Sequence, residues 1–320
     1  MPDTFASRAT DCAWPCSGSS GWEHAPHQVM APTSEVTALA LWHTRGVITL
    51  FCTIAAAQLV AVNIDLLTVP TLASLLILGL GVPHGAADIA IIERQWHLTT
   101  WRQTVGALVV YVALAGCVIF AWWLRPQLCL ALFLSGSAYH FGGDWGHNPL
   151  ARTLRGAALL TATAVYHVQQ DAEIFGWLTS PSTGAAMAVV MQMLSIPLLI
   201  LAAIHSAMLA CERSLVALEY GVVLSAALVL SPITFFVLYF CLLHSPRHMM
   251  SIRKVMWDWT LPRIVAKSAP YAGVAIGATL LGATLMTSLN AGPQLLTSVF
   301  IALAALTVPH MLMAEQGRDG

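Results

Sequence analysis

Charge is what this chain most lacks. Asp, Glu, Lys and Arg make up 9% of its 320 residues, where soluble domains carry about 25%. So few charges cannot cover a water-facing surface. With 58% hydrophobic residues and a mean hydropathy of +0.74, the chain needs another solvent, and lipid is the one that fits. The net charge of -1 leaves no electrostatic case for nucleic acid. Cysteine is sparse and scattered: Cys52, Cys117, Cys129, Cys211 and Cys241 stand alone in apolar runs, where a thiol behaves as a small hydrophobe, so no disulfide framework is implied. There is no HExxH, which removes the commonest zinc-protease reading, and no CxxCH, which excludes covalently attached haem. No basic stretch leads directly into an apolar one near the start, so no signal peptide is read there. Neither an internal repeat nor a Gly/Ser linker divides the apolar part.

What is present falls into two unequal parts. Residues 1–35 are rich in Ser, Pro, Thr and Ala and are expected to form a disordered N-terminal tail. Cys12, Cys16, His24 and His27 lie in it at spacings unlike those of zinc sites. Residues 36–320 read as a single transmembrane catalytic domain, all-α, a polytopic transmembrane helical bundle. At about 20 apolar residues per crossing, about ten spans (eight to ten) are expected, near 45–63, 66–92, 104–124, 126–146, 153–170, 185–211, 214–230, 232–252, 268–288 and 294–314. In that count Arg8, Arg45, Arg94, Arg102, Arg152, Arg155, Arg213, Arg253, Lys254, Arg263, Lys267 and Arg318 all fall on one side. Arg125 falls on the other, and Arg247 lies within a span. Basic residues mark the cytoplasmic side, so both termini are expected to be cytoplasmic.

Ionisable residues inside the spans are costly and usually serve a partner or a cavity. They come in four groups: Gly81-Val82-Pro83-His84-Gly85-Ala86-Ala87-Asp88, Tyr139-His140-Phe141-Gly142-Gly143-Asp144, His244-Ser245-Pro246-Arg247-His248 and Pro309-His310-Met311. All sit late in even-numbered spans, hence at a similar depth in the cytoplasmic half, where a bundle can gather them at one centre. A single intramembrane histidine is more often a hydrogen-bonded packing residue than a ligand; four groups at one depth favour a shared metal site. His84 and Asp88, His140 and Asp144, and His244 and His248 are each four apart, a spacing that shares a helix face. His244 and His248 can thus present two imidazoles to one ion. Asp88 and Asp144 are placed to accept a bond from a ligand imidazole, their own helix's or a neighbour's. Pro83, Pro246 and Pro309 adjoin the histidines and loosen the helix there. Arg247 can reach the interface or pair with Asp88 or Asp144. His205 is a reserve candidate, His167 ends a span on the opposite side, and His43, His97 and His147 read as interfacial. Neutral imidazoles suit Zn, Cu, Fe and Ni; a His-rich site with open positions fits non-haem Fe(II), with an apolar substrate arriving from the bilayer.

GVPHGAAD, YHFGGDW, HSPRH and the late PHM, in this order and at these separations, resemble the Brp/Blh family of β-carotene cleavage enzymes across roughly residues 70–315. The resemblance implies a membrane-embedded, multi-pass iron dioxygenase of the cell inner membrane, which uses Fe(2+) and O2 to split the central double bond of β-carotene into two molecules of all-trans-retinal. A retinal-binding rhodopsin would be a possible product acceptor. The resemblance assigns the metal to His84, His140, His244 and His248; the placement of the residues themselves puts Asp88, Asp144, Arg247, His310, Tyr139 and Phe141 behind the ligands or in the substrate pocket. Tyr139, Phe141, Trp145, Phe235, Phe236, Tyr239 and Phe240 are candidates to line a tunnel, although ordinary helix packing explains aromatic residues at such positions as well. Two other classes stay open at this point: a haem or quinone redox membrane protein with paired axial histidines, and a non-enzymatic carotenoid- or retinal-binding accessory protein.

Overall fold

The computed structural model describes residues 34–60, 64–212, 214–256, 258–285 and 291–314. The expected tail, with Cys12, Cys16, His24 and His27, lies outside the described residues as far as position 33. Regular structure among the described residues is entirely helical. Lipid imposes this, because a helix satisfies its own backbone. The helices are α1 (Ser34–Leu59), α2 (Pro70–Gln95), α3 (Trp101–Leu124), α4 (Pro126–Gly142), α5 (Pro149–Ala162), α6 (Ala164–Leu178), α7 (Pro181–Glu212), α8 (Ser214–Val229), α9 (232–255), α10 (Leu261–Thr284) and α11 (291–314). Pro126, Pro149 and Pro232 open their helices at the first turn, where a missing N–H costs nothing.

Six of these helices are long and apolar enough to cross a membrane: α1, α2, α3, α7, α10 and α11. Their outward residues are large and apolar, as lipid requires; Trp42, Val109, Trp123, Ile200 and Leu281 are all exposed. By contrast α2 and α11 run mostly through the interior. Helix α8 holds a shorter apolar segment, Leu215–Val229.

The expected fifth span, 153–170, is not one straight helix. Residues eight apart on a straight helix are about 12 Å apart along its axis, yet the Thr163 hydroxyl lies 3.2 Å from Oδ2 of Asp171. The chain bends between α5 and α6, and at His167 (φ −122°, ψ 29°) the backbone leaves helical geometry. His167 is held there by its ring, whose Nε2 lies 3.3 Å from the Val229 carbonyl.

Arg152 and Arg155, counted above as loop charges, are buried. They brace the turn between α4 and α5. Arg155 donates to the carbonyls of Trp145 (2.8 Å) and Gly146 (3.3 Å). Arg152 donates to the carbonyl of Tyr139 (3.3 Å) and lies over its ring. The two helices approach closely because glycines face backbone: a Cβ on Gly142 would lie 1.8 Å from the Arg152 carbonyl oxygen, and one on Gly156 1.8 Å from that of Ala138. At one end of the bundle Lys267 reaches Glu93 at 3.1 Å and Arg94 pairs with Asp258, whose carboxyl that bond holds below the usual carboxylate range. At the other, Asp65 accepts from Ser231 (2.7 Å) and Gln170 (3.0 Å), tying the loop before α2 to α6 and α9.

Gly156→Leu is therefore expected to cost at least about 1–3 kcal/mol by overpacking. Gly106→Ala on α3, where a Cβ meets nothing within 4 Å, is expected to be neutral or better. Thermal unfolding of the two purified variants in detergent checks this; equal melting temperatures would show that α4 and α5 are not held this closely.

Candidate metal centre

Three helices leave α-geometry where they carry the histidines. Ile77–Gly81 in α2, Tyr239–His244 in α9 and His310–Ala314 in α11 are π-helical turns. Each adjoins a proline: Pro83, Pro246 or Pro309. Proline has no N–H, and its ring displaces the carbonyl four residues back; the widened turns before Pro83 and Pro246 contain those carbonyls and absorb both effects. For Pro246 that carbonyl belongs to Leu242, and His43 of α1 lies with Nε2 2.9 Å from it. Since a carbonyl only accepts, His43 donates. His43, expected at the interface, is thus a partner for backbone that a proline has freed.

The widened turns and α4 bring five buried imidazoles together: His84, His140, His244, His248 and His310. Ring centroids of His140 and His244 are 4.8 Å apart, of His248 and His310 4.9 Å, of His140 and His310 5.0 Å, and of His84 and His248 5.2 Å. Nε2 of His140 and Nε2 of His244 face each other at 3.1 Å.

The groups behind the rings fix which nitrogen carries the proton. His310 Nδ1 lies 2.9 Å from both oxygens of Asp88. His244 Nδ1 lies 3.1 Å from Oδ2 of Asp144. His84 Nδ1 is bonded to the carbonyl of Gly81. A carboxylate and a carbonyl only accept, so in the neutral rings Nδ1 carries the hydrogen and Nε2 keeps its lone pair. Three rings thereby become donors toward a cation. The carboxylates are held in turn: Tyr111 donates to Asp88 at 2.7 Å, and Tyr239 to Asp144 at 2.6 Å. Asp88, His248 and His310 also offer three ligand atoms within 4.8 Å of one another. With its oxygens engaged by His310 and Tyr111, Asp88 serves better as the partner of a ring than as a ligand. The donor set fits a borderline divalent metal such as Fe(II).

Apolar space adjoins the cluster. One pocket is lined by His84, His140 and His310 with Phe133, Phe240 and Leu303. A second, lined by residues including Leu130, Leu159, Phe175 and Phe300, shares Phe133, Ser137, Phe141 and Phe236 with the first. A Cβ on Gly81 would strike the Phe240 ring at 2.3 Å, so glycine is what lets this wall close on the histidines.

Residues 75–316 match the model of the family described as Beta-carotene 15,15'-dioxygenase. The chain belongs to this family. A relative named Beta-carotene 15,15'-dioxygenase, from Uncultured marine bacterium 66A03, is 26% identical over 254 residues, covering 75% of this chain and 90% of the relative. No solved structure matches the chain.

In this family member several expected roles fall differently. His310, expected behind the ligands or in the pocket, does line the first pocket and also lies within the ring cluster. Of the two partners open to Asp88 and Asp144, an imidazole of their own helix or of a neighbour, each serves the neighbour's. The helix breaks after Gly85 and after Gly142, so neither aspartate shares a regular helical face with the histidine four before it. Arg247 pairs with neither carboxylate. It binds Glu219 at 2.6 and 2.9 Å and donates to the backbone carbonyl of Asp144 at 3.0 Å. Tyr139 does not line the pockets; one residue from His140 it points about 100° away, onto Arg152. Trp145 also leaves the pocket wall and donates to Glu219 at 3.1 Å. Phe141, Phe235, Phe236, Tyr239 and Phe240 do line it. His205, on α7, is not among the clustered rings. Glu219 and Tyr111 were missed, although a lone glutamate in the apolar run 214–230 is itself a functional signal.

Two outcomes are expected. Asp88→Ala and Asp144→Ala should each weaken Fe(II) binding about 10–100-fold, with Tyr139→Phe unchanged, as read by metal titration of purified protein; equal affinities throughout would mean the carboxylates do not orient the rings. Glu219→Leu should cost up to about 3 kcal/mol by leaving the half-buried Arg247 without its carboxylate, and the Glu219→Leu/Arg247→Met double variant should recover most of it. Double-mutant unfolding data without recovery would refute that pairing.

Proposed function

We propose that this protein is a membrane-embedded, non-haem iron dioxygenase that splits the central double bond of β-carotene with O2 into two molecules of all-trans-retinal. The observation that carries this reading is the meeting of five buried imidazoles, three of them with Nε2 turned inward, beside an apolar tract, in a chain of the beta-carotene 15,15'-dioxygenase family. His84, His140, His244 and His248 would hold Fe(2+), with His310 beside them. When bound, the iron supplies the redox chemistry by which dioxygen reacts with an alkene. The balance needs no reductant: one carbon–carbon double bond breaks, and the two oxygen atoms end in two aldehydes.

The remaining work belongs to the chain. Asp88 and Asp144 hold the proton on Nδ1 of His310 and His244, and Tyr111 and Tyr239 hold the carboxylates. Phe133, Phe141 and Phe236, common to both pockets, exclude water and fix where along the polyene the reaction falls. Because the double bonds of the polyene are chemically alike, register is the only selector the protein has.

In the same reading the chain crosses the inner membrane about ten times, with shorter helices joining the six described ones that are long and apolar enough to span, and both termini are cytoplasmic. The support is the arrangement of charge. Glu93, Arg94, Asp258 and Lys267 form ion pairs at one end of the bundle, and Arg102, Arg253 and Arg263 belong to the same group of loops.

Expression in β-carotene-producing bacterial cells tests the reaction, with His84→Ala as control. Loss of orange colour with appearance of retinal is expected in the wild type, and neither in the variant. Unchanged β-carotene with the iron-loaded protein in the membrane would refute the assignment.

A further inference from the structure

The apolar tract ends on a carboxyl. Asp171 of α6 is buried and lines the second pocket, where it is the one carboxyl among the described lining residues. Its depth follows from the contact between α4 and α5. Gly142 lies against Arg152, and Gly156 against Ala138. Extending that antiparallel register sets Thr163 level with about Ala131, nine residues from His140. At 1.5 Å per residue this is roughly 13 Å along α4. The half of a carotenoid from its central bond to its ring spans a comparable length. With the polyene's centre at the histidines, its ring would lie beside Asp171.

The carboxyl is poorly provided for. The hydrogen-bond donor that meets it is the Thr163 hydroxyl, 3.2 Å from Oδ2 and 3.5 Å from Oδ1. That hydroxyl also lies 3.4 Å from the Leu160 carbonyl. One hydroxyl proton serves one acceptor at a time. A brace for the bend at His167 requires a single acceptor, which an amide or a second hydroxyl would supply at lower desolvation cost. A carboxyl among Leu, Ile and Phe side chains is costly unless something else bonds it. An unsubstituted hydrocarbon ring cannot.

We propose that Asp171 is a specificity-determining residue that accepts a hydrogen bond from a hydroxyl on the terminal ring of the carotenoid, so that the site takes carotenoids hydroxylated on at least one ring in preference to unsubstituted ones. This inference rests on the carotenoid reading of the pocket given above. The hydroxyl would satisfy the oxygen that Thr163 leaves open, and it would fix which ring enters the tract.

Binding tests this separately from cleavage. The iron-loaded protein in lipid nanodiscs is offered equal amounts of β-carotene and β-cryptoxanthin, which carries one ring hydroxyl, without oxygen; retained pigment is then extracted and quantified. The wild type is expected to retain β-cryptoxanthin by about tenfold over β-carotene, the discrimination expected for one buried hydrogen bond to a charged group. Asp171→Leu should bring the ratio to about one, and Asp171→Asn, which keeps an oxygen acceptor, should preserve most of it. A wild-type ratio near one overturns the inference whether or not the variants fold. So does a ratio that Asp171→Leu leaves unchanged while both pigments bind less, since a brace for the bend would act on both alike. Admitting oxygen afterwards addresses the other reading: failure to cleave either bound pigment would sink the dioxygenase assignment while the binding ratio stands on its own.

Discussion

A neutral imidazole has two nitrogens and one proton, and this sets the logic of the centre. Shielded from water, the rings take their tautomers from the groups behind them. Each acceptor that draws a proton to Nδ1 turns a lone pair inward. The acceptors are expensive to bury, so each needs its own donors. Asp88 takes Tyr111, and Asp144 takes Tyr239. The Asp144 backbone takes Arg247, Arg247 takes Glu219, and Glu219 takes Trp145. Much of the charge that a charge-poor chain retains in its interior is accounted for by this outward succession of partners, which reaches α3, α8 and the turn after α4. No link in it is optional, because removing one strands the next in a medium that cannot solvate it.

The backbone obeys the same constraint. Proline beside a clustered histidine would be a defect in a helix facing lipid, since it leaves a carbonyl without a donor. Here the carbonyl that Pro246 frees is put to use. The Leu242 carbonyl, four residues before Pro246, receives His43, and the Gly81 carbonyl beside Pro83 receives His84. A π-helical turn at each of the three proline sites widens the helix and shifts the register of its side chains. His244 and His248 come from one helix through such a turn, and both reach the cluster.

The sequence reading located this centre because its residues are conspicuous against their background. A histidine close to proline or glycine within an apolar run has few structural uses, and four such groups at one depth have fewer. What it could not foresee was set by direction rather than by position. The spacing of His84 and Asp88 is that of a helix face, but only if the helix continues; the break at Ala86–Ala87 sends the carboxylate to His310 on another helix. Arg152 and Arg155 look like loop charges until the turn they sit in folds back over them. Tyr139 and Phe141 flank the same histidine and differ by two helical positions, which put one on Arg152 and the other on the pocket wall. Glu219 was legible and was passed over for want of a neighbouring motif.

The broken fifth segment makes the same point about reach. A straight helix over 153–170 would carry the wall beside α4 onward at constant distance, and the apolar tract would have no end there. The bend at Thr163–His167 closes it. Asp171 stands back against Thr163, Phe175 and Leu178 turn inward from α6, and Met191 faces them from α7. Under the proposed function, one double bond among many alike must be found, and measuring from a fixed stop does this. The stop and the histidines share one rigid reference, α4, which carries His140 at one end of the tract and Leu130 at the other. The close glycine contacts between α4 and α5 hold that measure constant. Those approaches, Gly142 on Arg152 and Gly156 on Ala138, flank His140, so α5 is fixed against α4 at the end of the tract where the histidines lie.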